Sequence, residues 1–174
     1  MRAFLLSAIL LFACNLMHRA QLSDVVDAAR RGDAARIKQL AAGGADLNAP
    51  SGGNDWTPLI HAVHVHQKAS LAALLDAGAD PNRAVANTTP LMWAAGYGYD
   101  DMVTLLLHRG AKADGALDWA LTGVTDIDGF TYFQCQDSTV RLIRSAAPNA
   151  SASASALRWG RLKCGSRLRS QSAG

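Results

Sequence analysis

Residues 57–80 read TPLIHAVHVHQKASLAALLDAGAD, and residues 89–112 read TPLMWAAGYGYDDMVTLLLHRGAK. The two stretches open with the same tripeptide, Thr-Pro-Leu, 32 residues apart, and each closes on Gly-Ala followed by a charged residue. Another Gly-Ala-Asp, at 44–46, lies 34 residues before the one at 78–80. Because the Thr-Pro-Leu and Gly-Ala motifs recur independently at nearly the same spacing, the sequence predicts an array of repeats.

Each repeat is predicted to hold a short helix, a turn and a longer helix. Thr57 and Thr89 are candidate N-caps, because a threonine hydroxyl accepts a backbone N–H of the first helical turn, and the following proline suits the first helical position. Gly98 is expected to turn the chain, and His66 stands at the equivalent place one repeat earlier. In the longer helix, Leu106 belongs to an apolar stripe with three- and four-residue spacing, which indicates a buried face.

A period near 33 residues with Thr-Pro-Leu opening a helix resembles the ankyrin repeat family. The resemblance implies an all-α solenoid of four helix-turn-helix repeats with short β-hairpin fingers. It covers residues 21–147, with repeats at about 21–49, 50–83, 84–114 and 115–147.

The array departs from the family pattern in three places. The first repeat lacks Thr-Pro-Leu and is expected to cap the array, and the fourth has a long loop, 122–134, instead of a tight turn. Ankyrin repeats usually carry a histidine directly after Thr-Pro-Leu that bonds neighbouring loops. Ile60 and Met92 stand there instead, so those histidine bonds are not expected.

Residues 1–20 are predicted to be an export leader. Arg2 supplies a positive start, and the apolar run 3–13 has signal-peptide length but is shorter than the roughly 20 residues that cross a bilayer. Residues 11–14, Leu-Phe-Ala-Cys, resemble a bacterial lipobox, which makes Cys14 a candidate lipidation site. Phe12 departs from that pattern, and cleavage after Ala20 is the alternative. An exported bacterial-type ankyrin repeat protein is expected, periplasmic, envelope-bound or secreted, and in contact with a membrane only if Cys14 is acylated.

Charge divides the chain into an acidic body and a basic tail. Residues 20–147 carry ten lysines and arginines against fourteen aspartates, and residues 148–174 carry five cations and no acid. This distribution argues against a nucleic-acid-binding core. Residues 150–156 alternate alanine and serine, so 148–174 is predicted to be a disordered basic tail. The alternative is weak electrostatic attachment to anionic lipid or an acidic partner.

Few residues suggest chemistry. His61 and His64 share a helix face, but no third ligand stands at a zinc-like spacing. Residues 126–129, Asp-Ile-Asp-Gly, lack the glutamate of a calcium loop. Cys135 and Cys164 could form a disulfide or stay as two thiols. We therefore expect no enzyme, no metal and no cofactor; the alternative is a metal- or His-dependent enzyme on the repeat scaffold.

The remaining function is protein binding. In the ankyrin family the fingers and the ends of the short helices line a concave groove. Six residues occupy the corresponding positions in the repeats of this sequence: Arg30, Arg31, Trp56, His64, Thr88 and Tyr97. Trp, Tyr and Arg are enriched at binding hot spots. For Trp56, packing on its own finger is an equal alternative. A non-enzymatic protein–protein interaction module, monomeric and with a partner of unknown identity, is expected; a membrane-tethered lipoprotein accessory factor is a further alternative.

Overall fold

The computed structural model describes residues 24–50, 54–125, 131–132 and 136–163. These residues form two compact units that divide between Asp80 and Pro81. The predicted leader with Cys14, and both Cys135 and Cys164, lie outside the described residues. The expectations about cleavage, acylation and a disulfide therefore stay predictions.

The described part of the unit ending at Asp80 consists of two helix-turn-helix pairs. Its helices are α1, residues 24–31; α2, Ala34–Ala42; α3, Pro58–His64; and α4, Lys68–Asp76. The longer helices α2 and α4 pack on each other. The buried hydroxyl of Ser70 in α4 donates to the carbonyl oxygen of Ala28 in α1 at 3.4 Å, so the two pairs are also joined by a polar contact.

The unit beginning at Pro81 continues this pattern and then departs from it. Its helices are α5, Pro90–Tyr97; α6, Asp100–His108; α7, Ala116–Thr122; α8, Asp137–Ala146; and α9, Ala154–Lys163. The short helices α5 and α7 lie side by side, and α6 packs on α8. The all-α repeat architecture expected from the sequence is confirmed.

The helix ends follow the predicted chemistry. Thr57 and Thr89 cap α3 and α5, each hydroxyl accepting a backbone N–H three residues on at 3.3 Å. Gly98 has a left-handed φ of 74°, and His66 adopts φ 54° at the equivalent turn. Left-handed geometry disfavours a side chain with a Cβ. His66 therefore carries backbone strain that Gly98 does not.

The predicted apolar stripes form the core of each unit. Leu106 is completely buried on α6, as are Met102 and Val103 beside it. In the fourth repeat, Val140 and Ile143 are buried on α8.

One finger is fully described, at residues 85–88. The backbone N–H of Val85 and that of Thr88 each donate to the other's carbonyl oxygen at 2.9 Å. Ala86 and Asn87 between them have φ 48° and 62°. Two left-handed central residues define the tight turn that matches the twist of a β-hairpin. The expected hairpin finger is confirmed at this position.

Neighbouring loops are joined by asparagine side chains. The Oδ1 atom of Asn48 accepts the backbone N–H of Asp80 at 2.7 Å, and that of Asn82 accepts the N–H of Lys112 at 2.8 Å. Both asparagines occupy the fourth position after the glycine of Gly-Ala-Asp. These bonds join successive loops without the histidine usual in the family. Met92 acts locally instead, its Sδ accepting the N–H of Thr89 at 3.4 Å.

The long loop of the fourth repeat contains a two-stranded antiparallel pair. β1, Val124–Thr125, pairs with β2, Thr131–Tyr132, with Val124 opposite Tyr132. Val124 is buried and packs on α5 at Gly96, where the Cβ of any other residue would collide with the valine side chain. Glycine at 96 is therefore what lets the strand pair approach the helix.

The prediction of a disordered tail was wrong over residues 154–163. This segment forms α9, which packs on α7. Ala156 is buried, and the Oδ1 of Asp118 in α7 accepts the backbone N–H of Ser153 at 2.8 Å. Small residues allow the close approach, so the helix needs no leucine stripe to dock.

None of the helices in the described ranges is long and apolar enough to cross a membrane.

Candidate binding surfaces at the ends of the short helices

Arg30 and Arg31 stand at the end of α1, as predicted, and both are exposed. The guanidinium of Arg31 donates to Asp27 at 3.1 Å, and Arg36 pairs with Asp24 at 3.2 Å. Exposed pairs of this kind contribute little to stability, about 0–1 kcal/mol. Arg31 and Arg36 line one recess together with Asp24 and Asp33, so its surface has mixed charge.

Trp56 is mostly buried, with 7% of its surface exposed. Its ring lies edge-on to His64, with centroids 5.0 Å apart, and tilted to His61 at 5.5 Å. Of the two interpretations left open by the sequence, the geometry favours packing on its neighbours. His64, half-buried at the end of α3, keeps more of its surface accessible than Trp56 or His61.

Thr88 has its hydroxyl engaged on both sides. It donates to the carbonyl oxygen of Val85 at 2.7 Å and accepts the indole N–H of Trp93 at 3.1 Å. Thr88 thus ties the finger to α5 and orients the Trp93 ring.

Tyr97 is the predicted site residue with the richest surroundings. It lies in a row of four rings, the aromatic cluster, formed by Trp119, Trp93, Tyr97 and Tyr99. The centroid distances along that row are 5.1 Å, 5.9 Å and 5.2 Å. Trp93 is buried, and the other three side chains are half-buried.

Two glycines make the aromatic cluster possible. The left-handed turn at Gly98 brings Tyr99 back over Tyr97, and their rings stack with an interplanar angle of 20°. A Cβ at position 96 would lie 3.0 Å from Cε3 of Trp119, so Gly96 leaves the space this ring occupies. The cluster is a rigid set of ring faces and edges with its hydrophobic area partly exposed.

Sequence reasoning missed Tyr99 and Trp119 as members of this cluster. Residues 97 and 99 flank a glycine predicted to turn the chain, and that signal could have placed the two tyrosines together. Trp119 is half-buried and stands fourth in α7, as Trp93 does in α5. Their shared helix position is what brings the indoles into contact.

Metal binding has no geometric support in the described ranges, where no group of three His, Cys or Asp side chains lies together. The Asp-Ile-Asp-Gly stretch at 126–129 lies outside the described residues, in the sequence between β1 and β2.

Comparison with known proteins fits this geometry. A family model described as ankyrin repeats, in three copies, matches residues 25–115, just over half of the chain. The chain belongs to the ankyrin repeat family. The 2-5A-dependent ribonuclease of Mus musculus is 40% identical to this ankyrin protein over 73 residues, 41% of the chain. The match spans only a tenth of the ribonuclease's own length, so it carries no inference about nuclease activity.

Proposed function

We propose that this ankyrin repeat protein is a non-enzymatic binding module that holds a protein partner at the ends of its short helices. The observation that supports this most directly is the aromatic cluster. Three half-buried rings, Tyr97, Tyr99 and Trp119, offer apolar area that is already held in place by ring contacts, stacked for the two tyrosines and edge-on for Trp119 against Trp93. Rigid aromatic side chains lose little conformational entropy on binding and are enriched at hot spots.

In the unit ending at Asp80, the ends of the short helices carry charge and one imidazole rather than accessible aromatic area. Arg30, Arg31 and His64 are its accessible predicted residues. Trp56 contributes through packing, because little of its ring can reach a partner. We therefore expect Tyr97, predicted from the sequence, and Tyr99 to anchor the partner, and not Trp56.

The test is capture of partners by the immobilised protein, followed by affinity measurement with variants. Tyr97→Ala and Tyr99→Ala should each weaken binding by more than about 1 kcal/mol if they are hot spots. Arg144→Ala, an exposed change on α8 of the same unit, should leave affinity unchanged. Loss of binding in Arg144→Ala, with both tyrosine variants unaffected, would place the site elsewhere.

We also propose export, on the evidence of Arg2 and the apolar run 3–13 alone. Intact-mass measurement of the protein from its native host decides this. A chain lacking at least residues 1–13 is expected, and a mass corresponding to acylated Cys14 would indicate a lipoprotein accessory factor. A soluble cytoplasmic chain that keeps Met1 would contradict export.

A further inference from the structure

Helix α9 is held on α7 by its smallest residues. Ala156 is buried, and a Cβ at Gly160 would lie only 2.7 Å from the Cδ2 atom of Leu121. At the start of the helix, Ser153 is fixed twice: its N–H donates to Asp118, and its hydroxyl accepts the N–H of Ala156 at 3.2 Å. One face of α9 therefore packs against the repeat unit.

A second face, beside the docked one, is presented to solvent. Ser155, Arg158 and Trp159 are exposed there, at the three- and four-residue spacing that places side chains on one side of a helix. Trp159 is 48% exposed, and no other large apolar side chain in the described ranges is exposed. An indole offered to solvent beside an arginine is unlike the rest of the described surface.

The sequence of this segment carries charge of one sign. The sequence of α9 contains Arg158, Arg161 and Lys163 and no acid, and Arg167 and Arg169 follow it. The cations are spread along the segment rather than gathered at one point. Such a distribution suits a broad anionic surface, such as a membrane leaflet, better than a single carboxylate on a protein.

We propose that the outer face of α9, carrying Arg158 and Trp159, binds the headgroup layer of an anionic membrane. Tryptophan favours the membrane–water interface, because its ring is apolar and its N–H is polar. Arginine reaches the phosphate and carboxylate groups of the lipids while its stem covers apolar surface. Docking on α7 leaves both side chains exposed, so the repeat unit would be held close to the lipid surface.

The test is sedimentation of the full chain with vesicles of phosphatidylcholine containing phosphatidylserine, compared with phosphatidylcholine alone. Selective binding to the anionic vesicles is expected, with a blue shift of tryptophan emission that Trp159→Ala removes. Arg158→Ala should weaken binding about fivefold, the effect of one basic residue near an anionic leaflet. Binding should fall as salt rises from about 0.1 M to about 1 M, where the Debye length shrinks from about 10 Å to about 3 Å.

Arg141→Ala is the matched control, since it removes one exposed arginine from α8 in the same unit and should leave vesicle binding unchanged. Equal binding to both vesicle types, or losses no larger in Arg158→Ala and Trp159→Ala than in Arg141→Ala, would overturn the proposal. So would polyaspartate that displaces the chain from vesicles while Trp159→Ala binds normally. That result would assign the cations to an acidic protein.

Discussion

The side chain of Asn82 bridges to the backbone of the next loop at two points. Its Nδ2 donates to the carbonyl oxygen of Gly110 at 3.0 Å, and its Oδ1 accepts the N–H of Lys112 at 2.8 Å. The amide thus satisfies one donor and one acceptor of the loop that follows α6. Asn48 makes one such bond, to the N–H of Asp80.

Asn82→Ala is expected to lower the free energy of unfolding by about 1 kcal/mol, because two exposed hydrogen bonds to the backbone are exchanged for bonds to water. Asn82→Asp should cost less, since it keeps the acceptor for Lys112 and loses only the donor. Urea denaturation measures both. Asn149→Ala, at an exposed turn, is the control, and an equal effect there would mean that the bridge contributes nothing.

Leu106→Ala should lower the free energy of unfolding by about 2–5 kcal/mol, the range for deleting a buried leucine. Leu106 is fully buried on α6, and Leu107 next to it is half-buried. Leu107→Ala should therefore cost clearly less. Equal shifts of the denaturation midpoint in the two variants would contradict the assigned helix face.

Two equivalent turns should respond in opposite ways to substitution. Gly98→Ala is expected to destabilise the protein by about 1–2 kcal/mol, because a Cβ disfavours the left-handed backbone. It would also meet the side chain of Gln136. His66→Gly should not destabilise, since it relieves the strain at φ 54°. Thermal melts compare the two, and a large loss in His66→Gly would show that the imidazole contributes more than the strain costs.

Removing residues 150–174 should lower stability by about 2 kcal/mol, the order expected for exposing a buried leucine such as Leu121. Asp118→Ala should act in the same direction but less, since it removes only the acceptor for Ser153. Asp114→Ala, exposed before α7, is the control. An unchanged melting temperature on truncation would mean that α9 docks too weakly to matter.

The repeats could be predicted because their signals are local. Threonine before proline, glycine at a turn and leucines at helical spacing each act within a few residues. Thr57, Gly98 and Leu106 accordingly occupy the predicted places. The repeat phase alone was enough to assign the ends of the short helices, including that of Tyr97.

The rest depends on contacts between distant segments. The docking of α9 relies on Gly160 facing Leu121, a fit between shapes that leaves no periodic apolar pattern in the sequence. The burial of Trp56 depends on the rings of His61 and His64 in α3. The repeat phase places these residues in the helix but does not give the orientation of their side chains. The stacking of Tyr97 on Tyr99 needs a helix to end between them, since residues two apart do not face each other within a helix.

The position of α9 beside α7 has a consequence for how this array could grow. A following repeat would stack its first helix on α7, the surface that α9 already covers. Gene duplication could lengthen the array by inserting units between existing repeats, where each new Asn would find a loop to bond. Units added after α8 would first have to displace α9. The fold therefore leaves room for new repeats between existing ones, whereas α9 blocks the addition of repeats after α8.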